Sequence, residues 1–173
     1  MNIPLASIPK TIEQAVRSIS RFFAWANLLL IGVIILQVIL RKVFSNGQIA
    51  LEELQWHLYA TAVMFGTAYA QITNQHVRVD LFYQRFSAKT KALVEVLGLG
   101  LLAVPFVIIV ILHSYDFAYE AWRVNESSSA PSGLPFRWII KGVIPVSFSL
   151  LLLSLVAQIL RQIAVLGGSH GSE

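Results

Sequence analysis

Four stretches without a charged side chain, residues 22–40, 54–77, 96–115 and 142–160, limit what this chain can fold into. Wound as an α-helix, the first of them is about 28 Å long, close to the roughly 30 Å hydrocarbon core of a bilayer. Strands that cross a membrane are about 9–11 residues long and alternate apolar with polar side chains, which none of the four stretches does. The chain therefore reads as an all-α integral membrane protein with four transmembrane helices in a single domain over 1–173. The expected helices lie at about 22–40, 54–73, 92–122 and 138–161, after a lead-in over 1–21 and before a polar tail over 162–173. Charged residues make up 13% of the chain, against about 25% in soluble domains, which excludes an ordinary soluble fold. The 13 Lys and Arg residues sit singly or in pairs, so no basic face exists for nucleic acid to follow. The absence of cysteine removes disulfides, thiol nucleophiles and thiolate metal sites.

The first stretch is too long for the apolar region of a secretory signal. It ends on Arg41 and Lys42 without a small-residue cleavage site, so the segment is expected to be retained. Ahead of it, Ile12, Ala15, Val16, Ile19, Phe22 and Phe23 recur at helical spacing and predict an N-terminal amphipathic interfacial helix from near Pro9. Sidedness follows from the basic residues of alternate loops. Lys10, Arg17, Arg21, Arg78, Arg85, Lys89, Lys91 and Arg161 fall on the side of the termini, against Arg41, Lys42, Arg123, Arg137 and Lys141 on the other. The excess predicts both termini in the cytoplasm.

Trp56, Tyr59, Tyr115, Tyr119, Trp122 and Trp138 cluster at what would be the outer ends of helices two to four, where amphipathic rings settle. Asp116, Glu120 and Arg123 share a face and extend helix three beyond the bilayer. The turn-forming stretch 127–135 follows, and helix four starts just after Pro135. Ser87 is the expected N-cap of helix three, and Gly98, Gly100 and Pro105 predict a local bend within it.

No Asp, Glu, Lys or Arg lies inside the four stretches, which argues against an independent ion pathway, a self-sufficient carrier or a hydrolase. The enzymatic alternative is a haem-binding anchor of a respiratory oxidoreductase, because His57 and His113 fall at similar depth and two imidazoles can ligate one iron. Ala62, Gly66 and Ala70 repeat every four residues, a stripe that lets a second helix approach closely. Glu52 and Glu53 precede the second stretch, where carboxylates suit the positive end of a helix dipole. His76, Arg78 and Asp80 alternate with Val77 and Val79 in a polar turn.

Taken in order, Val38-Ile39-Leu40-Arg41-Lys42-Val43-Phe44, Glu52-Glu53-Leu54, Phe65-Gly66-Thr67-Ala68-Tyr69-Ala70 and His76-Val77-Arg78-Val79-Asp80 resemble the small membrane subunit of tripartite ATP-independent periplasmic (TRAP) transporters. Leu54-Gln55-Trp56-His57-Leu58 and the stretch 132–141 are similar to a branch associated with 2-oxo acids, mannitol or chloroaromatic acids. One departure is that many members carry a Trp just before the paired acids, where this chain has Ala50-Leu51 and its nearest Trp is Trp56. The resemblance implies a scaffold subunit of a sodium-coupled secondary transporter for an organic acid, in a bacterial inner membrane. Its implied partners are a large membrane subunit, bound directly, and a periplasmic substrate-binding protein, together with membrane lipid. It implies neither catalysis nor a cofactor. The candidate partner-interface or structural residues are Glu52, Glu53, Ala62, Gly66, Ala70, His76, Arg78 and Asp80.

Overall fold

A computed structural model describes residues 7–73 and 86–167, all helix or connecting loop, without a strand among them. The first helix, α1 (Ser7–Val43), is unbroken, so the lead-in and the first apolar stretch form one rod of 37 residues, about 55 Å long. The chain from Thr11 to Ile31 contains no Gly or Pro to interrupt it, and Val16 of the lead-in is fully buried against its neighbours. Arg41 and Lys42 in the last turn complement the negative helix end. Ser45 then takes a positive φ of 52°, which turns the chain so that Asn46 N–H reaches Leu40 O at 3.0 Å.

Helix α2 (Ile49–Ile72) starts without a side-chain cap but with Glu52 in its first turn. The next rod opens as α3 (Ala88–Gly98), where the Ser87 side chain accepts a hydrogen bond from Thr90 N–H, as its sequence position predicts. It passes through a π-helical turn, Leu99–Ala103, and continues as α4 (Val104–Arg123). Pro105 lacks the N–H that an α-turn needs and its ring crowds the preceding turn, which gives a reason for the irregularity at this point. Asn125, at a φ of 48°, ends α4. Its N–H bonds Trp122 O at 3.1 Å while Glu126 N–H bonds Ala121 O at 2.9 Å, the paired closure typical of a left-handed cap.

The last helix, α5 (Trp138–Gly167), packs against each of the other four. Its buried face, Ser147, Leu150, Ser154, Leu155, Ala157 and Gln158, consists mostly of small or polar side chains that let neighbouring backbones approach. Ser154 Oγ donates to Leu150 O on its own helix at 2.8 Å and also lies 3.4 Å from Ala68 O of α2. Val16, Phe65, Ala68, Ile72 and Leu150 form the core, and the Phe23 ring stacks on Phe65 with centroids 3.6 Å apart.

Three rods are long and apolar enough to cross a membrane: Pro9–Val43, Lys89–Arg123 and Trp138–Gly167. Four such helices are expected from the charge pattern. The difference lies in α2, which is long enough but carries Gln55, His57, Thr61, Thr67 and Gln71. Packed between α1 and α5, it presents less of its circumference to lipid than an isolated span would.

Phe65→Ala should lower unfolding free energy by about 3 kcal/mol or more, because it leaves a cavity beneath Phe23. Phe22→Ala, on a side chain 70% exposed, should change it little. Denaturant titration of the detergent-solubilised protein measures both.

Candidate functional site

Glu52 and Glu53 start α2 on adjacent sides and serve different neighbours. Toward α1, Glu52 Oε1 lies 3.4 Å from Gln37 Nε2, which also reaches Gln48 O at 3.2 Å, and 3.8 Å from Arg41 Nη1. Toward the α4–α5 loop, Glu53 accepts a hydrogen bond from Ser128 Oγ and another from Leu134 N–H at 2.7 Å. The loop is folded tightly enough to present both donors. Ser128 N–H bonds Leu134 O at 3.0 Å, and Ala130-Pro131-Ser132-Gly133 makes a turn closed by Gly133 N–H to Ala130 O. A Cβ on Gly133 would collide with Ser128 Cβ and come 2.8 Å from Glu53 Oε2, so glycine suits this approach. The Ser128 hydroxyl and then the Leu134 amide hold the Glu53 carboxyl below the usual glutamate range, against the opposing effect of burial, with smaller help from the positive charge of Arg137.

Beside this latch, Glu126 pairs with Lys141 and lies 3.9 Å from Arg137, and the Lys141 ammonium sits 3.8 Å from the Phe117 ring centroid. Arg123 bonds Glu120 at 2.6 Å, a pair that follows from their spacing in the sequence. The loop end of the bundle is thus closed by ion pairs and hydrogen bonds internal to the chain.

A second polar cluster lies toward the other end, and sequence reading missed it because its members are single residues on separate helices. Gln71 Nε2 of α2 donates to Gln158 Oε1 of α5. Gln158 Nε2 is 3.4 Å and Gln162 Nε2 2.5 Å from Glu95 Oε2 of α3. Nearby, Arg161 of α5 pairs with Glu13 of α1. This pair fixes the register of two antiparallel helices. Arg161 closes the fourth charge-free stretch, so Arg21, eight residues beyond Glu13, is about 12 Å deeper along the bundle. No charge interrupts any apolar stretch in the sequence, yet α1 is displaced so that Arg17 and Arg21 stand beside the apolar stretches of its neighbours.

The stripe of Ala62, Gly66 and Ala70 does not receive a helix of this chain: Gly66 is exposed, and a Cβ built on it meets nothing within 4 Å. Ala62, Gly66 and Tyr69 instead wall a hollow of about 310 Å³ together with Ser20, Arg21, Ala24 and Asn27 of α1. His113 Nδ1 lies 2.9 Å from Ile109 O of its own helix, on an exposed flank of α4. His57 is on α2; α5 packs against both helices, and they make no extended contact with each other. Nothing in this arrangement favours a shared haem. His76, Arg78 and Asp80 lie outside the described residues.

The latch has a pH signature. Because folding lowers the Glu53 pKa, its stabilisation is fully present above the unfolded value of about 4.3 and is lost as pH falls through the folded value. A fluorophore attached through cysteine at Ser132 should show high anisotropy at pH 7 that drops in strong acid. In Glu53→Ala, anisotropy should be low at both pH values.

A family model described as "Tripartite ATP-independent periplasmic transporters, DctQ component" matches residues 30–165. No curated protein matches the chain.

Proposed function

The chain belongs to the DctQ-component family of tripartite ATP-independent periplasmic transporters, and from that premise we propose that it is the scaffold subunit that braces a large transport subunit in the membrane. As a family member it is a multi-pass inner-membrane component of a transporter and not an enzyme. The proposal adds the division of labour. The large membrane subunit moves an organic acid together with sodium ions, a periplasmic protein delivers the substrate, and this chain holds the moving subunit in place.

The observation that carries this reading is how the polar groups are used. A pump or carrier needs ionisable groups facing a path through the bilayer. In this chain Gln71, Gln158, Gln162 and Glu95 join helices to one another, and Glu52, Glu53, Glu126 and Lys141 tie loops to helix ends. Such ties stiffen a body without opening a route through it. On the outside, α1, the π-helical turn and α4 present large apolar side chains such as Phe22, Leu29, Leu102 and Leu112, the surface expected to face lipid or another membrane protein. Our reading has α2 as the fourth span, Ser7 and the first turn of α1 reaching the cytoplasmic headgroups, and both termini in the cytoplasm. His76, Arg78 and Asp80 then belong to the cytoplasmic contact with the large subunit.

Two measurements test the reading. Co-expressed with its large subunit, the tagged chain should purify with it in a constant ratio, and liposomes should take up substrate only when the large subunit and binding protein are also present. Uptake by this chain alone would overturn the scaffold role. For sidedness, single cysteines at Ser87 and Ser132 should label from opposite faces of intact cells, with Ser132 reached from outside; the reverse pattern would invert the topology.

A further inference from the structure

Arg21 is a cation without a counter-ion. Among the described residues it makes no ion pair, and the Glu13–Arg161 register places it about 12 Å further into the bundle than the end of the fourth apolar stretch. An arginine at such depth normally faces protein, where it can find a carboxylate or backbone carbonyl, or reaches for the interface with its long stem. Here it borders the hollow between α1 and α2, not the packed interior.

Ser20 lines the same hollow. It is only 4% exposed, and its hydroxyl has no hydrogen-bond partner, an uncommon state for a serine that could bond the preceding turn of its own helix. The other buried side-chain oxygen without a partner among the described residues is Gln37 Oε1. Gln37 lines a second hollow, of about 370 Å³, with Ile34, Arg41, Glu52 and Trp56. The two hollows follow one another along the α1–α2 seam, and neither takes a wall from α4 or α5. In the first hollow, Ala24, Ala62 and Gly66 keep the groove floor low, with space above Gly66. One seam thus gathers an uncompensated cation, both unpartnered buried oxygens and the small-residue stripe.

We propose that the α1–α2 seam is the seat of a membrane helix of the large subunit that presents an acidic side chain to Arg21 and hydrogen-bonding groups to Ser20 and Gln37. The proposal rests on the scaffold reading and specifies which face performs it. Charge complementarity selects the occupant: a neutral apolar helix or an acyl chain would leave Arg21 and both oxygens unmatched. The small residues allow the helix backbone to come close, which strengthens packing and polar contacts together.

The test is co-purification of the large subunit with tagged variants of the full chain, quantified against the parent. Arg21→Glu should lower recovery about tenfold or more by opposing two like charges, while Arg21→Lys should retain most of it. Gly66→Leu fills the groove from a position where a Cβ meets nothing within 4 Å and should also lower recovery severalfold. Gly142→Leu, equally unobstructed at Cβ but in the separate groove that α4 and α5 form with Ile19 of α1, should match the parent. A photo-crosslinking residue at Asn27 should capture the large subunit, and one at Leu102 of the π turn should not. Thermal unfolding of each isolated variant separates lost docking from lost folding. If the parent recovers the large subunit and Arg21→Glu and Gly66→Leu recover it equally well, the seam is not the seat and the scaffold reading stands. If the parent itself recovers none, both fail. Loss of a co-purifying anionic lipid from Arg21→Glu, with the large subunit retained, would assign the seam to a lipid headgroup and overturn the proposal.

Discussion

Inside a bilayer no water is available to hydrogen-bond a polar side chain, so each one on these helices must find a partner in protein or carry a cost of several kcal/mol. The architecture follows from that constraint. Helix α5 occupies the centre because its inward face is built from Ser147, Ser154, Ala157 and Gln158, groups small enough to admit close neighbours and polar enough to link them. Gln71, Gln158 and Glu95 then connect three separate helices at one level, while Ser154 shares its hydroxyl between its own helix and α2. Apolar packing by itself discriminates poorly between helix faces in lipid, since the tails are as apolar as leucine. Polar links and the stacked pair Phe23–Phe65 supply the specificity that apolar contact lacks.

The same constraint acts differently at the loop end. There the groups can reach water, and exposed ion pairs such as Arg123–Glu120 contribute only about 0–1 kcal/mol. What distinguishes Glu53 is geometry: one carboxylate receives a side-chain hydroxyl and a backbone amide from a single tight loop, and Gly133 leaves it room to do so. A connection that sequence marks only as turn-forming becomes a closure over the start of α2. Such a fixed connection removes slack between the start of α2 and the α4–α5 loop.

Register is the least visible determinant. The Glu13–Arg161 pair marks how far α1 is displaced along its neighbours, so that an apolar stretch complete in itself is no longer level with the others. Arg17 and Arg21, harmless headgroup anchors when α1 is considered alone, then lie beside apolar turns of α2 and α5. The displacement also sets Ser20 and Gln37 along one seam with Ala62 and Gly66.

The residues themselves determined the all-helical class, the apolar lengths, the Ser87 cap and the end of α4 near Arg123, because each depends on contacts within a few positions along the chain. The ordered motifs between Val38 and Asp80 likewise carried the family resemblance, which the match over residues 30–165 bears out. The split duties of Glu52 and Glu53, the Gln71–Gln158–Glu95 link and the depth of Arg21 were decided only by tertiary structure. Each depends on where two helices distant in sequence stand along a common axis, and hydropathy carries no information about axial offset. A periodic apolar pattern states which face turns inward; only a contact such as Glu13 with Arg161 states how far one rod has slid past another.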